Sequence, residues 1–236
     1  MSGEHDSRVP ARDRVRADGV ELDVRLTSDG VPIIYHSFYL HEYTSGSGPV
    51  FAHTLDAIRQ LRVDDGQGKS SLGYAIPMLR GALGAIAGHI GLEIEIKGSE
   101  PEAVAAVADA LGDFAQHWPT IAITSFEPSI LRSIEERCSP IPTCLLSPRS
   151  ESWMGSDVVA YTAIHRSRLT GAGTVHLHPT QLSRHVVEAV RREGIEVHSW
   201  EVNDRSSLEK MLEFKIPKFD TDVPPEALRI IKELAT

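Results

Sequence analysis

Two stretches of this sequence alternate polar and apolar residues with a period of two. In ELDVRL, an extended backbone puts Glu21, Asp23 and Arg25 on one face and Leu22, Val24 and Leu26 on the other. LEIEIK repeats the arrangement, with Glu93, Glu95 and Lys97 opposite Leu92, Ile94 and Ile96. Successive residues on one face of a strand stand about 6.5 to 7 Å apart. Each stretch therefore predicts a strand with a ladder of charge on one side and a greasy surface on the other.

From about residue 90 onward, β-rich runs alternate with amphipathic helical stretches. TIAITSF, IPTCLLS, GTVHLH, IEVHSWEVN and KFDTD read as strands. SEPEAVAAVADAL reads as a helix with Ser99 and Glu102 as its capping box and Val104, Val107 and Leu111 at helical spacing. PSILRSIEERC, Thr180 to Arg192 with Gly194 as its stop, SSLEKMLEF and PPEALRIIKEL complete the helices, while Pro148 to Arg168 reads as irregular. Ahead of this region, GVELDVRL and VPIIYH are joined by a turn at Asp29 and Gly30. A glycine-rich TSGSG and two helical stretches, TLDAIRQL and IPMLRGALGAI, follow. Strands interleaved with helices predict an α/β fold, a TIM-type (βα)8 barrel formed as a single domain over residues 1–236. An antiparallel sheet with one solvated face would also explain the alternation, but not the intervening helices.

Composition narrows the partners. With 24 basic and 33 acidic residues the net charge is −9, and no Lys/Arg cluster offsets it, which excludes a nucleic-acid or anionic-membrane footprint. Gly81 to Leu92, the longest nearly apolar run, is broken by His89 and falls short of the roughly twenty residues of a spanning helix. The polar N-terminus has no apolar core of a signal peptide. The spacing of Cys138 and Cys144 suits neither a redox pair nor a zinc knuckle. The expected setting is cytoplasmic.

Strands packed between helices are buried on both faces, so inward carboxylates need a cation. Glu21, Asp23 and Glu95 are hard oxygen donors that suit Mg2+ or Ca2+. Arg25 and Lys97 would balance charge or contact an anionic substrate. His36, at the end of VPIIYH, is a candidate general acid or base. TSGSG lacks the lysine of a phosphate-binding P-loop.

Taken in order, ELDVRLTSDGVPIIYH, the TSGSG stretch, LEIEIK, ITSFEPSIL, HSWEVN and FDTDVP resemble the glycerophosphodiester phosphodiesterase family, from about Ala17 to Pro224. The resemblance implies a (βα)8 barrel that hydrolyses a glycerophosphodiester or related small phosphodiester to an alcohol and a phosphomonoester. It implies metal ligation by Glu21, Asp23 and Glu95, catalysis by His36 and Lys97, and substrate contacts from Lys97 and Trp200. Family members begin with an H-R-G strand and a P-E-N motif, and MSGEHDSRVPARDRVR contains neither, so the first βα unit and its histidine are expected to be missing or replaced. Ser37 stands where the family has aspartate. His5, His41, His53, His176 and His178 are the candidates for a replacement histidine. The alternatives are an impaired family member that binds a phosphodiester without turnover, and a barrel completed by a partner chain, a second copy included.

Overall fold

Strand β1 (Gly19–Leu26) turns back on β2 (Pro32–Ile34) in a hairpin that pairs Val24 with Ile34 and Leu26 with Pro32. The computed structural model describes residues 17–64 and 73–234. Gly30 holds the hairpin turn at φ +78°, a conformation that side chains with a Cβ disfavour. Asp29 Oδ1 accepts from Thr27 Oγ1 at 2.6 Å and from Leu55 N at 3.0 Å, tying the turn to α1 (Leu55–Arg59).

On its other edge β1 pairs in parallel with β3 (Gly91–Ile96), followed by β4 (Ile121–Ser125), β5 (Thr143–Leu146), β6 (Thr174–Leu177) and β7 (Glu196–Ser199). The order along the sheet is β2-β1-β3-β4-β5-β6-β7. The connecting helices are α2 (Leu79–Ile86), α3 (Pro101–Gly112), α4 (Pro128–Arg137), α5 (Ser156–Thr170), α6 (Arg184–Arg192) and α7 (Arg205–Glu213), with α8 (Pro224–Leu234) last. Beyond α7 the chain returns beside β7, where Phe219 forms a parallel bridge with Ser199.

Parallel strands laid down in sequence without doubling back form a barrel when the two ends meet. Here the sheet curls far enough for Glu93 of β3 to form an ion pair with Lys218, just past β7, across the interior. β1, β3 to β7 and the Phe219 segment fill seven barrel positions. Among the described residues, no strand pairs with Gly19–Leu22 on the side of β1 away from β3.

The outward faces of the strands make the core. Ile94 and Ile96 of β3 and Ile123 of β4 pack under Val104, Val107 and Leu111 of α3, all of them buried. Each such side chain contributes about 1.5–3 kcal/mol through burial. A separate small cluster, including Ile33, Tyr35, Leu40, Val50 and Ile58, sits under the segment that follows β2. Among the described residues, no helix is long and apolar enough to cross a membrane.

Several local expectations are corrected. Pro148 to Arg168 is not irregular throughout, because Ser156–Thr170 is helical; its buried side consists largely of Val159, Ala160, Ala163, Ser167 and Thr170, too small and polar to announce a period. The helix expected from Thr180 begins at Arg184, where Ser183 accepts from Val186 N. Ser99 and Glu102 form no capping box, since the helix starts at Pro101 with Glu100 as N-cap. VPIIYH is the return strand of a hairpin, not a barrel strand, and KFDTD shrinks to a single bridge.

Candidate active site at the barrel mouth

The parallel register between β1 and β3 sets Asp23 beside Glu95 and Glu21 beside Glu93. Because all four side chains belong to the polar ladder, they point into the barrel while their neighbours feed the core. Glu21, Asp23 and Glu95 offer oxygens that all lie within 4.8 Å of one another. Lys97 Nζ donates to Glu95 Oε2 at 3.0 Å and stands 3.1 Å from Asp23 Oδ1.

This group holds more negative charge than one ammonium can balance. Burial, then repulsion from Asp23 and Glu95, pushes the Glu21 carboxyl up to about 9, with Lys97 opposing. Burial also raises the Glu95 carboxyl, again against Lys97. Burial works against charge on Lys97, but Glu95 and Asp23 outweigh it and hold its pKa above the ordinary lysine value. Glu21 Oε1 is buried and has no hydrogen-bond partner. Three crowded carboxylates with an orphaned oxygen are a donor set that fits a hard divalent cation.

Arg25, next up the same ladder, is buried. Its Nε donates to the His36 carbonyl at 2.9 Å, and its guanidinium lies 3.8 Å over the ring of Phe38. Arg25 thereby ties the segment that carries His36 to the strand that bears Glu21 and Asp23. The His36 ring is exposed, with Nδ1 3.4 Å from Ser37 Oγ. Ser37 Oγ in turn donates to Glu42 Oε2 at 2.7 Å. A carboxylate therefore backs this imidazole through a serine.

On the far side of the mouth, Trp200 follows β7 and packs edge-on against Phe126 and His178, with Arg149 5.8 Å from its ring. Trp200 Nε1 is buried without a partner. Arg149 pairs with Glu201, which takes a left-handed backbone at φ 56°. His178 Nδ1 meets Thr180 Oγ1 at 2.7 Å, and its Nε2 stands 3.7 Å from Glu201. Arg149, Glu201 and Phe126 were not singled out as site residues in the sequence; in the structure they lie just beyond the ends of β5, β7 and β4.

The remaining candidate histidines lie apart. His53 Nδ1 donates to the Pro49 carbonyl at 2.9 Å and serves its loop, and His41 packs on Tyr39. His5 lies outside the described residues. His176 is fully buried inside the barrel, with Nε2 3.1 Å from His198 Nδ1.

Residues 14–226 match the glycerophosphoryl diester phosphodiesterase family. The glycerophosphodiester phosphodiesterase of Caldanaerobacter subterraneus subsp. tengcongensis is 25% identical over 92% of this chain and 87% of its own. An Oleispira antarctica phosphodiesterase, solved in complex with the product sn-glycerol-3-phosphate, superposes with a TM-score of 0.77 at 25% identity, over 91% of this chain and 85% of that one. A glycerophosphodiester phosphodiesterase from Agrobacterium tumefaciens shares the fold at a TM-score of 0.71 and 22% identity, over 88% and 85% of the two chains. A TIM-type barrel with phosphoric diester hydrolase relatives is thus the class. The chain belongs to the glycerophosphoryl diester phosphodiesterase family.

Proposed function

We propose that this chain hydrolyses a glycerophosphodiester or a related small phosphodiester, using Mg2+ or Ca2+ held by Glu21, Asp23 and Glu95. The observation that carries the reading is the Glu21 carboxyl, pushed up to about 9 with its Oε1 orphaned beside Asp23 and Glu95. That is the electrostatic signature of a group arranged for a cation.

Each side chain then has a task. Lys97 and Arg25 carry positive charge toward the phosphoryl oxygens, and the free Trp200 N–H donates to an oxygen of the substrate's alcohol portion. His36 exchanges a proton with the attacking or leaving hydroxyl, its ring steadied through Ser37 by Glu42. A bound divalent ion supplies further positive charge to the phosphoryl group. Cys138 and Cys144, buried and unpaired, agree with a cytoplasmic setting.

The test is hydrolysis of glycerophosphocholine with Mg2+ or Ca2+ and with chelator, for wild type beside His36→Ala and Asp23→Asn. Turnover that needs the ion and falls in both variants supports the reading. Absence of turnover with bound ion favours a second reading, a barrel that another chain completes. The Gly19–Leu22 edge, without a strand partner among the described residues, is what supports that alternative. Size-exclusion of the active and inactive preparations separates the two.

A further inference from the structure

One layer below the mouth, β3 carries another carboxylate, Glu93, which the phosphodiesterase reading does not use. It is 3% exposed and meets His176 of β6, which in turn meets Asp220 beyond β7. Interior layers of a (βα)8 barrel are ordinarily filled by branched aliphatic side chains. Here the layer is built from Glu93, His176, His198, Lys218 and Asp220.

The spacing within it is informative. His176 Nδ1 lies 3.5 Å from Glu93 Oε1 and 3.6 Å from Asp220 Oδ2. Both separations are longer than a good hydrogen bond, Nδ1 is fully buried, and the Cys144 thiol is the other group that faces the ring. A charge-assisted hydrogen bond would close to about 2.7–2.9 Å. Two ligand atoms on one tetrahedral ion, with bonds of about 2.1 Å, stand about 3.4 Å apart. The other ring nitrogen is fixed by His198, 3.1 Å away, the kind of outer contact that orients a ligating imidazole. Lys218 holds Glu93 through Oε2, which leaves Oε1 for another partner.

We propose that Glu93 Oε1, His176 Nδ1 and Asp220 Oδ2 form a second cation site inside the barrel, built for a borderline transition ion such as Zn2+ or Mn2+. Imidazole with two carboxylates suits such ions, whereas the mouth offers only oxygen. The two sites therefore differ in ligand chemistry as well as depth. Lys218 and Asp220, with side chains 40% and 27% exposed, give the ion a way in. The proposal stands whether or not the mouth catalyses hydrolysis.

The experiment strips the full chain with chelator, then dialyses it against Zn2+ in the presence of excess Mg2+ and counts bound zinc. Wild type and the mouth variant Glu21→Gln/Asp23→Asn retain about one equivalent. Asp220→Asn weakens retention about 10-fold and His176→Gln about 100-fold. A Co2+ titration of the same proteins shows a tetrahedral visible spectrum that His176→Gln abolishes. Melting curves without metal check that each variant folds; Asp220→Asn, isosteric and partly exposed, decides the matter if His176→Gln does not. The proposal is overturned if wild type retains no zinc, if zinc is lost only with the mouth variant, or if neither interior variant changes its retention. That last pattern would make the cluster an ion-pair plug.

Discussion

His176 and His198, opposite each other in the register of β6 and β7, stand with Nε2 and Nδ1 3.1 Å apart, and their surroundings favour a charged His176 beside a neutral His198. Burial opposes a proton on His176, but Asp220, Cys144 and Glu93 outweigh it and lift the pKa to about 9. Burial, then the neighbouring His176 charge and Lys218, drives His198 down to about 3. The arrangement fits His176 donating from Nε2 to His198 Nδ1, with His198 Nε2 donating to Glu196 Oε2 at 3.2 Å.

Stability of the metal-free protein should therefore depend on pH on both sides of neutrality. The His176 contribution is complete below its unfolded pKa, about 6.5, and is lost as pH rises toward about 9. The His198 contribution is complete above about 6.5 and is lost as pH falls toward about 3. Melting temperature measured in chelator is expected to fall on both the acid and the alkaline side, Glu21 adding to the alkaline fall. His176→Gln should flatten the alkaline limb, and an alkaline limb identical to wild type would contradict the assignment.

Glu21→Gln should act with opposite signs on stability and activity. Without metal, the unfolded carboxyl ionises above its ordinary value while the folded one holds its proton to about 9, so wild-type stability falls across that window. The amide removes that cost, and the apo variant is expected to gain on the order of 2 kcal/mol at neutral pH. The same change should abolish the melting shift given by Mg2+ or Ca2+ and lower turnover at least about 100-fold. Calorimetry with and without the ion reads the stability change; an apo variant no more stable than wild type counts against the crowded-carboxylate account.

Arg25→Lys keeps the charge but loses the fork that joins the His36 carbonyl to the face of Phe38. The expected result is a roughly 10-fold fall in kcat/KM, with little recovery at high substrate because the His36 loop is misplaced. If kcat is unchanged and only KM rises, Arg25 serves substrate binding alone.

Ser37→Ala cuts the link between His36 and Glu42. Turnover should fall about 10-fold, and Ser37→Asp should restore it by presenting a carboxylate directly to the imidazole. The pH–rate profile is the discriminating readout. A profile and rate in Ser37→Ala equal to wild type would remove Ser37 and Glu42 from the positioning role.

Much of the barrel is written in the alternation of ELDVRL and LEIEIK, because a period of two with acids on one side has few structural solutions. β1 and β3 lie within a residue of the expected bounds, and Glu21, Asp23, Glu95 and Lys97 converge as their shared face implies. What could not be read is equally physical. α5 buries alanine, serine and threonine rather than a leucine stripe. The direction of VPIIYH depends on a two-stranded pairing that a run of apolar residues does not reveal. Lys218 and Asp220 reach the interior from a segment with a single ladder bridge, so their alliance with Glu93 is a product of closure, invisible in any local window.

The pairing of Asp23 with Glu95 and of Glu21 with Glu93 ties folding to function in a way that resists half-measures. A slip of one residue in either strand would turn its carboxylates toward the helices and its isoleucines and leucines toward the lumen. Such a chain would lose its core and its chemistry in one step. Burying Ile94 on the helix side and turning Glu93 and Glu95 into the lumen are therefore one event, and a one-residue slip that stays well packed but inactive is denied to this protein.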